Sequence, residues 1–176
     1  MKIKENVIKP NFGEPVVIAL AQKRPSGEKI RYVYPKTKWS IKGFSSEETN
    51  NSRLASSIID NNTSNWWITR YATDPTDYPN HWVTVDMGEA SRIDGFILNQ
   101  KTGDRKIKEL EILVSTDNMA WESLGVFVLN NIDQLKQYID LPAKKVCRYF
   151  KLIPKSGHDS QRQPALAEVG TFRLKE

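Results

Sequence analysis

A chain of 176 residues, 39% hydrophobic and 27% charged, suits one globular domain with a real core, or one such domain carrying an extension. No apolar run approaches the roughly 18–20 residues that span a bilayer, and the single cysteine, Cys147, excludes an internal disulfide and a multi-cysteine zinc site. The net charge of +5 gathers at the start, where residues 1–42 hold ten Lys and Arg against three Asp and Glu; the rest is close to neutral, which favours a solvated basic leader over the basic folded face of a nucleic-acid binder.

The opening "MKIKENVIKPNFGEP" has no continuous apolar stretch and does not read as a signal peptide, so localisation stays open at this point. Residues 1–38 then offer "PVVIALA" and "KIRYVY" on either side of the turn-like "KRPSGE". This is a hairpin, or the tail of a preceding domain, ending near Pro35. "SRLASSIID" is the only helical pattern and is barely two turns long. It runs into "DNNTSNWW", residues 60–67, where two tryptophans follow a polar run. Asp60, Asn62, Thr63 and Asn65 have the oxygen-rich composition of a hard-cation loop; an Asx-rich turn bonded to its own backbone has the same composition and is the reading composition favours.

Beyond residue 80 the texture is β. "HWVTVDMG" alternates, with Trp82, Val83 and Val85 competing for the buried side, and stops at Gly88. "RIDGFIL", "ELEILVS", "WESLGVFVL", "QYIDL", "RYFKLI" and "VGTFRL" follow between Gly, Pro, Asn and Asp punctuation. Short strands at regular spacing predict a sandwich or jelly roll. Cys147, in "KKVCRYFKLI", reads as a small buried hydrophobe in a strand. His81 and His158, the only histidines, sit in polar loops without a neighbouring nucleophile, and the carboxylates are scattered. A hydrolase needs its base within hydrogen-bond reach of the nucleophile, so enzymatic activity is not expected.

"SSIIDNNTSNWW", "DYPNHWVTVDMG", "RIDGFIL", "ELEILVSTDNMAW", "CRYFKLIP" and "ALAEVGTF" stand in the order of the discoidin, or coagulation factor 5/8 type C, domain family of the galactose-binding-like superfamily. The resemblance covers residues 39–176, and "KWSIKGFSSEE" further resembles modules appended to glycan-degrading enzymes such as chitobiases. It implies an all-β, eight-stranded antiparallel jelly-roll β-sandwich over residues 39–176, with recognition loops at one end, behind an N-terminal extension of residues 1–38. It also implies a structural calcium (Ca2+), with Asp60, Asn62, Asn65 and Glu168 of "LAEV" as ligands, although Asn61 and Asn65 replace the family's usual glycine and threonine.

For the sugar site, the family's arginine position holds Lys101 in "NQKTGDRK", a segment that also carries Arg105, and "SGHDSQRQP" offers His158, Arg162 and Gln163. Galactose specificity does not transfer with those residues. An aromatic platform falls instead to Trp66, Tyr71 or Tyr78, because a ring face suits the apolar face of a pyranose. Trp39, Trp82, Trp121 and Tyr149 read as core, Trp67 as the family's inward tryptophan, and Trp66 as its outward neighbour. The expectation is a non-catalytic, monomeric carbohydrate-binding module of a larger periplasmic, extracellular or cell-surface protein, binding an oligosaccharide weakly. The alternative is a discoidin-type interaction or spacer domain without sugar affinity. Nucleic acid is not expected, since the basic excess lies in the leader and the body is close to neutral, and membrane insertion is not, since the loop tips "TDPTDY" and "GHDSQRQ" are polar.

Overall fold

The computed structural model describes residues 29–71, 73 and 76–175; the "PVVIALA" half of the expected hairpin lies outside them. Its strands are β1 (Arg31–Val33), β2 (Ser40–Phe44), β3 (Trp67–Ile68), β4 (Val83–Asn99), β5 (Ile107–Ser115), β6 (Glu122–Val128), β7 (Lys136–Gly157), β8 (Ala165–Leu166) and β9 (Glu168–Leu174). Every pairing between them is antiparallel. The "SRLASSIID" helix is reduced to a 3₁₀ turn at Ala55–Ile59, preceded by another at Thr49–Asn51. Clustered Ser and Asn compete for backbone bonds there and favour such short turns over a helix.

Two long strands make the sandwich. The first part of β4 pairs with β2, while its last part, Gly95–Asn99, pairs with β9. β7 follows the same course: Lys136–Asp140 lies against the end of β4, and Tyr149–Gly157 lies against β5. Register shifts between Asp86 and Ser91, and between Ile93 and Gly95, mark where β4 turns from one layer to the other, as bulges do at sandwich corners. Phe96 of one layer meets Phe150 of the other edge-on, with ring centroids 5.4 Å apart. The all-β jelly-roll sandwich expected from strand spacing is the architecture found. It has one strand more than expected among the described residues, since β1, inside the stretch assigned to the extension, pairs with β9. The boundary at residue 38 therefore does not separate an appendage from the sheet.

Alternation settles which residues face inward. Val83, Val85 and Met87 share one parity and are buried in the core. Trp82 has the other parity and, against expectation, lies half-buried on the outer face. Its ring runs over Gly43, where a Cβ would stand 3.2 Å from the indole. Trp121, also expected in the core, is half-buried on that face, and the Lys151 ammonium sits 4.5 Å from its centroid and 5.2 Å from that of Trp82. Trp39 is half-buried and packs edge-on against Phe150, while Tyr149 is buried. Cys147 is fully enclosed, and burial pushes its thiol up to about 12. Because the thiolate is the reactive form, native protein at pH 8 should leave a thiol reagent unreacted, and denaturant should release one reactive thiol per chain; prompt labelling without denaturant would contradict this burial.

Candidate functional site

At one end of the sandwich the segments 48–53, 66–71, 101–106 and 159–165 converge. The buried Glu48 organises the first two. Its backbone N–H donates to Ile68 O (3.0 Å) and its carbonyl accepts from Arg53 N (2.9 Å). Its carboxylate accepts from Asn50 N (3.2 Å) and Tyr71 N (3.4 Å). Ile68 N donates to Arg53 O (3.3 Å). These bonds dock the 48–53 turn on β3, which brings Arg53 beside Trp66. The Arg53 guanidinium lies 3.8 Å from the Trp66 ring centroid, a cation–π contact worth about 0.5–2 kcal/mol.

A second pair stands close by. The Arg105 guanidinium is 5.1 Å from the Tyr71 centroid, and its Nη1 donates to Gln163 Oε1 at 2.8 Å. The Asp159 carboxylate accepts from Arg105 N at 2.6 Å, where the backbone takes a positive φ of 63°. Asn51 Nδ2 donates to Tyr71 Oη at 2.6 Å. Lys101 is buried beneath this surface, its ammonium bonded to Thr102 O and Asp104 Oδ1 (both 2.8 Å) and 5.6 Å from the Trp66 ring. The Lys101 ammonium also holds the Asp104 carboxyl below its usual range, mainly through that hydrogen bond.

Of the expected sugar-binding residues, Trp66, Tyr71, Lys101, Arg105 and Gln163 are brought together. Three are held in other contacts. Tyr78 packs edge-on against His81, with centroids 5.6 Å apart, and its hydroxyl sits under Gly157, 3.0 Å from where a Cβ would stand. His158 Nε2 donates to Leu129 O (2.9 Å). Arg162 pairs with Asp77 at 3.0 Å. Trp66 is half-buried and carries Arg53 on one face, so it is not the bare platform expected. Sequence reasoning missed Arg53 and Asn51. Nothing local flags them, because their role comes from pairing with residues more than a dozen positions away.

The expected cation loop adjoins this end. Asp60 Oδ1 accepts from Asn62 N (2.8 Å), Asp60 Oδ2 from Asn65 Nδ2 (2.9 Å), and Asn62 Oδ1 from Ser64 N (3.0 Å). Asn61 takes a φ of 63°, the left-handed conformation that asparagine tolerates in place of glycine. Glu168 Oε1 accepts from Asn62 N (3.1 Å), and Glu168 Oε2 is ion-paired with the ammonium of Lys36. Burial pushes the Glu168 carboxyl above its ordinary value, and Lys36 opposes that shift. This arrangement does not fit calcium. Asn65 turns its amide donor into the loop, the Asp60 and Asn62 side-chain oxygens accept internal N–H groups, and a positive charge already stands at Glu168.

The sequence pattern of the F5/8 type C domain family matches residues 40–169. The chain belongs to that family. The F5/8 type C domain superposes on the family 32 carbohydrate-binding module (CBM) from C. perfringens NanJ, solved in complex with galactose, with a TM-score of 0.70 at 19% identity over 82% of this chain and 100% of that one. The C-terminal domain of a chitobiase from Bacteroides fragilis gives 0.69 at 25% identity, with 82% and 100% covered. A family 32 module from Clostridium perfringens, in complex with GalNAc-β-1,3-galactose, gives 0.72 at 19%, with 81% and 100% covered. A sialidase from Micromonospora viridifaciens is 28% identical over 137 residues, 74% of this chain but only 20% of that protein. The F5/8 type C domain thus spans about a fifth of that relative's length, and it is a non-catalytic accessory type of domain.

Proposed function

We propose that this domain binds glycan at the loop end, weakly, as the accessory module of a larger glycan-degrading or glycan-uptake protein outside the cytoplasm, and that it favours sugar units bearing a carboxylate. The carrying observation is the Arg53 guanidinium stacked on Trp66. Among the described residues Arg53 has no carboxylate within ion-pair range. A guanidinium lying flat on a ring keeps its N–H edges free, and those edges match a carboxylate in a two-pronged bond. Arg105 stands over Tyr71 in the same manner, but its N–H groups are engaged, with Nη1 on Gln163 at 2.8 Å and Nε 3.7 Å from Asp104, so Arg53 is the one that carries the argument. The sugar-bound family 32 structures and the sialidase relative support a glycan ligand.

Calorimetric titration with galacturonic acid, N-acetylneuraminic acid and galactose tests both parts. Millimolar binding of an acidic sugar is expected, weakened by salt and reduced about tenfold or more in Arg53→Ala, as the loss of a charged hydrogen bond implies. Galactose binding as tightly as either acid, or Arg53→Ala leaving the acids unaffected, would remove the carboxylate preference. No saturable binding of any glycan in a broad screen would leave the interaction-domain reading. That reading has its own support in β6, the end strand of its sheet, where Val126 and Val128 are exposed.

A further inference from the structure

Lys36 follows β1, in a stretch where Tyr34 N donates to Thr171 O (3.0 Å), so the chain runs alongside β9. Its side chain crosses β9 at Gly170, with Cε 3.9 Å from where a glycine Cβ would stand, and its ammonium reaches Glu168. The side chains of both Lys36 and Glu168 are only 7% exposed. Asn62 N donates to both Asp60 Oδ1 (2.8 Å) and Glu168 Oε1 (3.1 Å), so the two carboxyl groups are neighbours and the ammonium stands on the buried one. Lys136 lines the same cleft and adds a second positive charge.

We propose that the Lys36 ammonium is the built-in counter-cation of the Asp60–Glu168 pair and takes the place that a structural calcium ion would otherwise fill. Glu168 is buried and costly to desolvate as an anion, and the exposed Asp60 carboxylate beside it repels it unless a counter-charge is present. A hard divalent cation meets that need with six to eight oxygen ligands, whereas an ammonium meets it with one charge and three N–H donors. The ammonium is covalently tethered, so it brings no binding equilibrium and no dependence on free metal. Through Glu168, which accepts from Asn62 N, it also joins three segments: the chain after β1, the 60–65 loop and β9. A calcium ion entering beside it would meet positive charge at short range, and Coulomb repulsion there is severe in a poorly solvated site.

The whole domain, wild type and variants, is melted in 5 mM calcium chloride and in excess chelator, and terbium is titrated as a luminescent calcium mimic sensitised by the nearby tryptophans. Wild-type protein is expected to melt at the same temperature in both buffers and to give no saturable terbium emission that calcium displaces. Lys36→Met, which keeps the stem and removes the charge, is expected to melt on the order of 10 °C lower, as for breaking a buried ion pair. Lys36→Arg should retain most of the stability. A wild-type Tm that rises with calcium, or calcium-displaceable terbium emission, overturns the proposal. So does a Lys36→Met protein as stable as wild type. If Lys36→Met does not fold, the wild-type buffers, the terbium titration and Lys36→Arg still decide the matter.

Discussion

Trp67→Ala should remove about 3–5 kcal/mol of folding stability, the range for deleting a large aromatic from a packed core. Trp67 has no exposed surface and belongs to the main apolar cluster. Its indole N–H donates to Ser46 O at 2.9 Å, which ties the chain after β2 to β3. The substitution would leave both a void and an orphaned carbonyl, and β3 pairs with β8 over only two residues. Trp66→Ala should behave differently. It forfeits the Arg53 stacking contact, but it also removes an indole N–H that is enclosed without a hydrogen-bond partner. Those terms offset, so its stability should stay within about 1 kcal/mol of wild type. Chemical denaturation of both variants gives the comparison. Equal losses would deny that one tryptophan serves the fold while its neighbour serves the surface.

That division is legible in the sequence itself, because adjacent residues in an extended segment point opposite ways and Trp67 matches the family tryptophan. Asn61 in a left-handed conformation was legible on similar grounds. The features that were not legible share a physical cause. Lys36 lies 132 residues from Glu168, in a stretch whose basic excess reads as a solvated leader. Only the pairing of β1 with β9 carries it to the carboxyl group. Arg53 reaches Trp66 only because Glu48 docks the preceding turn on β3. Trp82 misled for another reason. It alternates with valines, and a large ring is expected to win the buried side, yet the parity of β4 gives that side to Val83 and Val85. The glycine that accepts its ring lies 39 positions earlier, in β2. Composition and spacing report the faces of single strands, whereas ion pairs and stacked rings report which strands meet.

Gly95→Ala should be the most damaging change available to one methyl group. Gly95 stands at the second register shift of β4, where the strand passes between the two layers. An added Cβ would lie 2.2 Å from the carbonyl oxygen of Ile139 in β7 and 2.3 Å from Phe172 Cζ in β9. Phe172 is the cross-strand partner of Gly95, so its ring covers the bare backbone there, in the way an aromatic residue protects a glycine on a neighbouring strand. The ring is also fixed from above, since Tyr138 packs edge-on at 6.1 Å and the Arg31 guanidinium lies 5.1 Å away. Arg31 is itself held by Asp140 at 2.9 Å. Neither obstacle is the loose end of a side chain: one is main chain in a central strand and the other is a ring clamped by Tyr138 and Arg31. Overpacking usually costs about 1–3 kcal/mol, and with no route to relax this site should reach or exceed the top of that range. Soluble yield and denaturation midpoint measure the effect. A Gly95→Ala protein of wild-type stability would mean that β4 and β7 can part at this corner, and the two-layer arrangement would then not depend on it.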